Sequence, residues 1–508
     1  MTIDTALGAG LSGDNGMASV TDGLLQSNSE NSATLPVGRN VFLTLTDDAL
    51  IITDKGMKSK SQRRCCSFPI PGSASQSIPY FNILWVELSD DYITIKYVDQ
   101  VTKKDVTLRS VQYSVNLENK SKAKTWTQEL LDSAYGKAQR EKRIKVLINP
   151  FGGKGHAPKY YLRYVEPIFA AAKCQVDVES TSHRGHAVDI VEKLDVNAYD
   201  VVVACSGDGI PYEIFNGLAK KPNASEALRK IAVAHIPCGS GNAMSWNLNG
   251  TGRASLAAVS IVKGLRTPLD LVSITQGDKR TVSFLSQSFG IIAELDLGTE
   301  NIRWMGSARF TYGFLVRLLG KTVYPCDLAI KVELDNKELI KDHYRAGSQR
   351  RSLDQLRDEE SSDAVGLPPL RYGTVNDPLP DGWTLVPHDK LGNFYAGNMA
   401  YMAADTNFFP AALPNDGCMD LITVNGDISR RTAIQMLMSV DDGAFFDMPE
   451  VNVRKVTGYR IIPRDRKEGY ISIDGEQVPF EPFQAEVHKG LGTVLSRSGY
   501  KYETNGLK

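Results

Sequence analysis

The sequence predicts a parallel α/β domain followed by a β-rich domain, and three observations predict it. From Ile144 onward, short and almost wholly apolar runs each end in a glycine-rich turn: IKVLINP, VVVACSGDG and IAVAHIPCGSGN. Each run is too short for a helix and leads into a segment of helical pattern, such as PYEIFNGLAKK or ASLAAVSIVKGL. Continuous rather than alternating hydrophobicity means burial on both faces, as in a parallel strand covered by helices on both sides. After about residue 268 the texture changes to LDLVSIT, RTVSFLSQSFGIIAELDL, DLAIKVEL, NFYAGNMAYM, MDLITVN, YRIIP, GYISIDGE and FQAEVHKG. These runs predict an antiparallel sheet or sandwich.

The remaining elements follow in order. Residues 1–37 are rich in Gly, Ser, Asn, Asp and Thr without a sustained apolar period, and are expected to be a disordered tail. Residues 38–140 carry strand-like runs (NVFLTLTDDALIIT, FNILWVELSDDYITIKYV, DVTLRSVQYSVNL) broken by Asp-Asp turns and closed by the amphipathic SKAKTWTQELLDSAYGKAQ. Strands closed by one C-terminal helix resemble a pleckstrin-homology-like module; a β extension packed on the core is the plainer alternative. Residues 58–77 read as a basic loop punctuated by Pro and Gly. Within it Cys65 and Cys66, beside Arg63 and Arg64, are candidates for S-acylation, because a basic stretch plus an acyl chain makes two membrane signals. Unmodified thiols are the alternative. The α/β domain is expected over 141–270 and the β-rich domain over 271–500, interrupted by a charged, flexible insertion at 341–382.

Composition excludes several classes. A net charge of −1 over 508 residues gives no electrostatic case for nucleic acid. Seven irregularly spaced cysteines favour a reducing compartment over a disulfide framework. No stretch reaches the roughly 20 apolar residues of a membrane span, and MTIDTALGAGLSGDNG lacks the basic and apolar regions of a secretory signal. A cytoplasmic location is expected.

The turns carry the chemistry. In NPFGGKG, Asn149–Gly155, the glycines Gly152 and Gly153 let backbone N–H groups approach an anion, and Lys154 adds charge. The GxxxxGK[ST] spacing is absent. In SGDGIPYEIFNG, Asp208 stands between Gly207 and Gly209 at a strand end, where it serves either as a general base or as a turn or N-cap residue. In PCGSGNAMSWN, Gly239, Ser240 and Gly241 form another anion nest, with Asn242 to position it. Ligands in such sheets bind outside the carboxyl ends of the strands, so the three turns should converge.

Together NPFGGKG, SGDG, PCGSGNA, the segment Ser288–Gly313 and SIDGEQVPFE resemble the diacylglycerol and sphingosine kinase superfamily, and the fungal long-chain-base kinases in particular. The resemblance runs from about Lys145 to Leu495. It implies a Rossmann-like nucleotide domain followed by an antiparallel β-sandwich lipid domain, with ATP and Mg²⁺ as cofactors. The implied reaction phosphorylates the primary hydroxyl of a sphingoid long-chain base to the 1-phosphate. Asp208 would deprotonate that hydroxyl. Asn149, Gly152, Gly153, Lys154, Thr181, Ser206, Glu213, Gly239, Ser240, Gly241, Arg303, Arg309, Asp474 and Glu476 would surround ATP, with Gly207, Gly209 and Gly475 beside them. Asp296 would meet the base's amino group, with Ser286 nearby.

Plainer readings stand beside these: Arg303 and Arg309 as surface charges, Asp474 as a hairpin turn. Phe151 replaces a basic residue of some animal relatives, Pro211-Tyr212 stands where Met-His is common, and Glu294 competes with Asp296 for the amine. Ceramide kinase, diacylglycerol kinase and a lipid-binding scaffold are the alternatives, with a soluble nucleotide-cofactor kinase further off. The expected partners are the lipid and a membrane surface met peripherally, on the ER, Golgi, endosome or plasma membrane. The oligomeric state is left open, a dimer included.

Overall fold

The computed structural model describes residues 33–58, 73–99, 105–298, 322–349, 365–466, 468–503 and 506–507. Cys65, Cys66, Arg303 and Arg309 lie outside the described residues, as does most of Ser288–Gly313. The chain divides into two compact units: Met1–Tyr80, Glu87–Thr94 and Gln112–Leu130 form one, and Phe81–Val86, Ile95–Val111 and Leu131–Lys508 the other.

In the first unit, β1 (Thr34–Val37), β2 (Val41–Leu45), β3 (Ala49–Lys58) and β4 (Ser73–Pro79) form an antiparallel sheet in that order. Leu35, Leu43, Leu50 and Ile52 are buried. The helix Lys120–Tyr135 contributes Trp126, which is 1% exposed and donates from Nε1 to the Ala33 carbonyl at 3.2 Å. Two expectations move here. Residues 34–37, read as tail, form a strand, and β4 begins inside the expected 58–77 loop. In both cases pairing supplies what the sequence pattern lacks: Leu35 opposes Leu43, and the polar Gln76 opposes Ile52. A three-stranded sheet has the order β5 (Ile83–Ser89), β6 (Tyr92–Asp99), β7 (Thr107–Ser114), and the division into units falls within each of its strands.

Past Leu131 the second unit carries β8 (Arg143–Ile148), β9 (Gln175–Ser180), β10 (Val201–Ser206) and β11 (Ala232–Pro237), all parallel. β10 and β11 are buried at every position, as their unbroken apolar runs require. Next come β12 (Leu265–Gln276), β13 (Lys279–Ser283), β14 (Ser286–Gly290), β15 (Cys326–Leu334), β16 (Val386–His388), β17 (Leu391–Gly397), β18 (Tyr401–Ala403), β19 (Thr406–Asn407), β20 (Met419–Asn425), β21 (Asn452–Pro463), β22 (Ile471–Ile473), β23 (Glu476–Val478) and β24 (Phe483–Ser496).

Among the described residues, one mixed sheet of 15 strands runs β23-β22-β14-β17-β20-β21-β24-β11-β10-β8-β9, with β12, β13, β15 and β16 attached at its sides. The long β24 joins the halves. It pairs with β21 at Gly458↔Glu486 and meets β11 in parallel at Val233↔Val494. The boundary expected at residue 270 therefore falls inside β12, which pairs with β24 from Leu265↔Ser496 to Thr275↔Gln484.

The 341–382 insertion also takes shape on both flanks. Residues 341–348 belong to the helix Lys337–Ser348, whose N-terminus Asn336 caps by accepting from the Glu338 and Leu339 N–H groups. Its one fully buried apolar residue, Ile340, was too weak a signal to outweigh the surrounding charges. Residues 365–382 are fastened as well. The Arg371 and Tyr372 N–H groups donate to the buried Glu486 carboxylate, both at 2.9 Å, and Arg460 donates to the Thr374 and Asp377 carbonyls. Residues 350–364 lie outside the described residues. Lys455, 1% exposed, is held by Asp416 at 2.8 Å and Asp420 at 3.2 Å, the pairing a buried ammonium needs.

Candidate active site

The three glycine turns converge at the carboxyl ends of β8, β10 and β11, and they do so backbone to backbone. A Cβ on Gly153 would stand 2.7 Å from the Cys238 carbonyl oxygen, and one on Gly239 would stand 2.5 Å from the Gly207 Cα. Only glycine allows that approach. Two asparagines shape the turns from within. Asn149 Oδ1 accepts from the Phe151 and Gly152 N–H groups at 2.9 and 3.1 Å. Asn242, at φ 57, accepts from Gly239 N at 2.7 Å and donates back to Gly239 O at 2.9 Å. Lys154, Ser240 and the Phe151 ring are exposed around the opening.

Asp208 occupies the N-cap position of the helix Gly209–Ala219, yet its side chain makes no capping bond there. It reaches across instead to the start of the helix Ala243–Asn249, accepting from Ala243 N and Met244 N at 3.0 Å each. The second and third turns are thereby tied together, and the carboxylate keeps 18% of its side-chain surface open. Behind it lies the wholly buried His235, with Nε2 2.9 Å from the Ser206 carbonyl and Nδ1 3.8 Å from Asp208 Oδ1. Burial pushes the imidazolium down, against the pull of Asp208, so the ring is neutral.

Several expected contact residues turn out to hold loops. Glu213 accepts from Gly185 N and Ala187 N at 2.9 and 3.0 Å, anchoring the start of the helix His186–Lys193. Thr181 and Ser206 direct their hydroxyls to the Ile148 and Gly207 carbonyls. Asp474, at φ 52 with Gly475 at φ 82, makes the tight turn of the β22–β23 hairpin. Its carboxylate accepts from Ser283 Oγ at 2.6 Å, Phe284 N at 2.9 Å, Leu285 N at 3.0 Å and Ser286 N at 2.8 Å. Burial pushes that carboxyl up to about 6, partly offset by these four donors. The same hairpin delivers Glu476 to the opening, where its Oε1 would lie 3.4 Å from a Cβ on Gly209. Glu476 pairs with Arg184. Arg184 was missed in the sequence, although SHRG follows the carboxyl end of β9 and the strand-end rule that selected the other turns applies to it equally.

The β-rich half supplies an apolar pocket, partly open to solvent, walled by residues that include Ile291, Ile292, Tyr395, Phe408, Val440 and Phe445. The chain path runs from the Asp474-held loop through β14 to the helix Ile291–Gly298, whose Ile291 and Ile292 line that pocket. Ser286 sits on this path, accepting a hydrogen bond on Oγ from the Tyr395 hydroxyl at 3.4 Å. Asp296 lies on the same helix as the pocket residues Ile291 and Ile292, with its side chain outside the described part of the structure. Glu294 lies two positions earlier, about 200° round the helix, and its carboxylate is 3.8 Å from Arg466. That cation gives Glu294 a partner of its own.

A family model described as "Diacylglycerol kinase catalytic domain" matches residues 143–274, and "YegS C-terminal NAD kinase beta sandwich-like domain" matches residues 392–496. Residues 33–136 match a "Domain of unknown function (DUF7493)". Sphingoid long chain base kinase 4 of Schizosaccharomyces pombe is 35% identical over 437 residues, an alignment covering 85% of this chain and 90% of that protein. The chain belongs to the sphingoid long chain base kinase family. Sphingoid long chain base kinase 5 of Saccharomyces cerevisiae is likewise 35% identical, over 74% of this chain but only 62% of its own length. A solved Bacillus anthracis structure bearing a diacylglycerol kinase name shares the fold, with a TM-score of 0.50 at 18% identity over 71% of this chain and 97% of that one. The fold is thus diacylglycerol-kinase-like, a mixed α/β sheet with a C-terminal β-sandwich domain. Among the described residues of this family member, no helix is long and apolar enough to cross a membrane.

Proposed function

We propose that the chain transfers the γ-phosphoryl group of ATP to the primary hydroxyl of a sphingoid long-chain base, giving the 1-phosphate. The observation that carries this reading is the apolar pocket opening beside the helix that bears Asp296, in the same unit as the glycine turns around Asp208. The turns cradle phosphates on backbone N–H groups, while Lys154 and Arg184 add positive charge. Arg303 and Arg309 complete that charge on the family resemblance. Asp208, oriented by Ala243 N and Met244 N, takes the hydroxyl proton as the oxygen attacks phosphorus.

The residues present fit a magnesium nucleotide. Mg²⁺ usually takes one or two carboxylates and completes its shell with phosphate oxygens and water, and the part-exposed Glu476 beside Gly209 would hold it that way. Bound there, the metal would neutralise charge on the transferred group. The pocket takes the hydrocarbon tail, and Asp296 meets the amine, since an ammonium near an apolar pocket is costly without a carboxylate. A ceramide amide is neutral and gains little from Asp296. Residues 38–140, a module of pleckstrin-homology type, bring the enzyme to the membrane surface peripherally.

The test is a panel of sphinganine, phytosphingosine, ceramide and diacylglycerol with Mg²⁺-ATP. Free bases should be phosphorylated, and Asp296→Ala should lower kcat/KM for them by roughly 10- to 100-fold, the loss of one buried charge pair. Equal turnover of ceramide, unchanged in Asp296→Ala, would sink the substrate assignment.

A further inference from the structure

We propose that His235 is a positioning residue for Asp208, holding an acceptor ready for the proton that Asp208 takes from the substrate. The inference rests on Asp208 being the base. His235 lies in β11, a strand whose other residues are Ala, Val, Ile and Pro. Its Nε2 sits 2.9 Å from the Ser206 carbonyl oxygen, which can only accept, so Nε2 carries the proton. In the neutral ring Nδ1 is then a bare lone pair. It is buried, has no hydrogen-bond partner, and lies 3.8 Å from Asp208 Oδ1. An unpartnered buried nitrogen is costly to keep, and one placed behind a base has a use for its vacancy.

While Asp208 is ionised, the lone pair and the carboxylate repel weakly. When Asp208 has taken the hydroxyl proton on Oδ1, the new O–H has an acceptor waiting, and a closure of about 1 Å makes an ordinary hydrogen bond. The substrate O–H bond breaks and the Asp208 O–H bond forms. The substrate oxygen bonds to the γ-phosphorus, and the bond to the bridging oxygen breaks with its electron pair leaving on the nucleoside diphosphate. His235 gains no proton. It favours the state of Asp208 that the transfer produces, and the proton leaves to solvent after the products. The charged group next to this pair is Glu476, beside Gly209, with its partner Arg184; Cys205 is in register with Ile236 rather than His235, so its thiol and that of Cys238, 3.5 Å apart, lie on the other face of the sheet. The bonded contact with Cys238, and then burial, push the Cys205 thiol up, so it brings no charge to the pair.

The experiment compares kcat–pH profiles of wild type, His235→Gln and His235→Asn with saturating Mg²⁺-ATP and sphinganine. Gln can still donate to the Ser206 carbonyl but places no acceptor at the Nδ1 position, whereas Asn can place its amide oxygen there. His235→Gln should lower kcat about 10- to 100-fold, the worth of one hydrogen bond to a charged or reacting group. It should also shift the acid limb to lower pH and leave KM for ATP unchanged, with His235→Asn recovering most of the loss. Superimposable profiles for His235→Gln and wild type overturn the proposal. Should neither variant fold, nitrogen-15 spectra of histidine-labelled wild type decide, since a proton on Nδ1 in the free enzyme also overturns it. Asp208→Asn separates the two readings. Retained turnover there removes the base itself, while a dead Asp208→Asn beside a normal His235→Gln removes only the role of His235.

Discussion

The two walls of the site use a carboxylate followed by glycine in opposite ways. On the α/β wall Asp208 accepts two backbone N–H bonds and remains partly open to solvent. On the β wall Asp474 accepts four bonds, all from the Ser283–Ser286 loop, and is 3% exposed. SGDG and IDGE look alike in sequence, yet one leaves its carboxylate available for chemistry and the other closes it into a structural knot. The number of donors and the access of water decide which role a carboxylate takes.

Substitutions at four positions break or sharpen that contrast. The largest effect belongs to Asp208→Asn, which should cut phosphoryl transfer by about 10²- to 10⁴-fold while ATP binding, read by calorimetry, persists. Near-normal turnover would falsify the base assignment. Asp474→Ala should instead act on the fold, lowering unfolding free energy by about 3–5 kcal/mol in urea titrations, because four donors lose a buried partner. Its proton linkage is a second signature. Asp474 is held near about 6 in the folded protein, above the ordinary carboxylate value of about 3.9, so the folded state binds the extra proton. Stability should then fall as pH rises from about 4 to about 6, and Asp474→Asn should flatten that fall. An unchanged slope would mean the carboxyl is already ionised in the fold.

Gly239→Ala comes third. Its Cβ would meet the Gly207 backbone at 2.5 Å, so the turns must part, costing about 1–3 kcal/mol and raising KM for ATP. A normal KM would show that turn spacing is not what binds the nucleotide. Arg184→Ala should be the mildest in stability, below about 1 kcal/mol, because its pair with Glu476 leaves the guanidinium 73% exposed. A larger loss in thermal melts would assign that pair to the fold rather than to the opening.

Much of this site was legible because its signals are local. A parallel strand ending in a glycine turn is written in consecutive residues, so β8, β10 and β11, their turns and the place of Asp208 could be read directly. The helix at Lys337–Ser348 was not, because a single buried Ile340 among charged residues carries little periodicity. β4 was hidden by polar residues that hydrogen-bond to β3 without an apolar alternation of their own. Glu213 read as a nucleotide contact because its spacing from SGDG says nothing of Gly185 and Ala187, which come to it from another strand end. His235 gave only the faint sign of one imidazole in a buried apolar strand.

By itself, then, the sequence determined the strand–turn–helix order of the α/β half, the glycine positions where backbones must touch, and the family, since all of these depend on short-range sterics and burial pattern. Tertiary structure alone decided that β24 sews the two halves into one sheet and that Arg184 and Glu476 meet. It also decided that Asp474 faces a loop while Asp208 faces an opening, with a bare His235 nitrogen behind it. Those outcomes depend on which distant donors arrive around a side chain, and no local pattern records them.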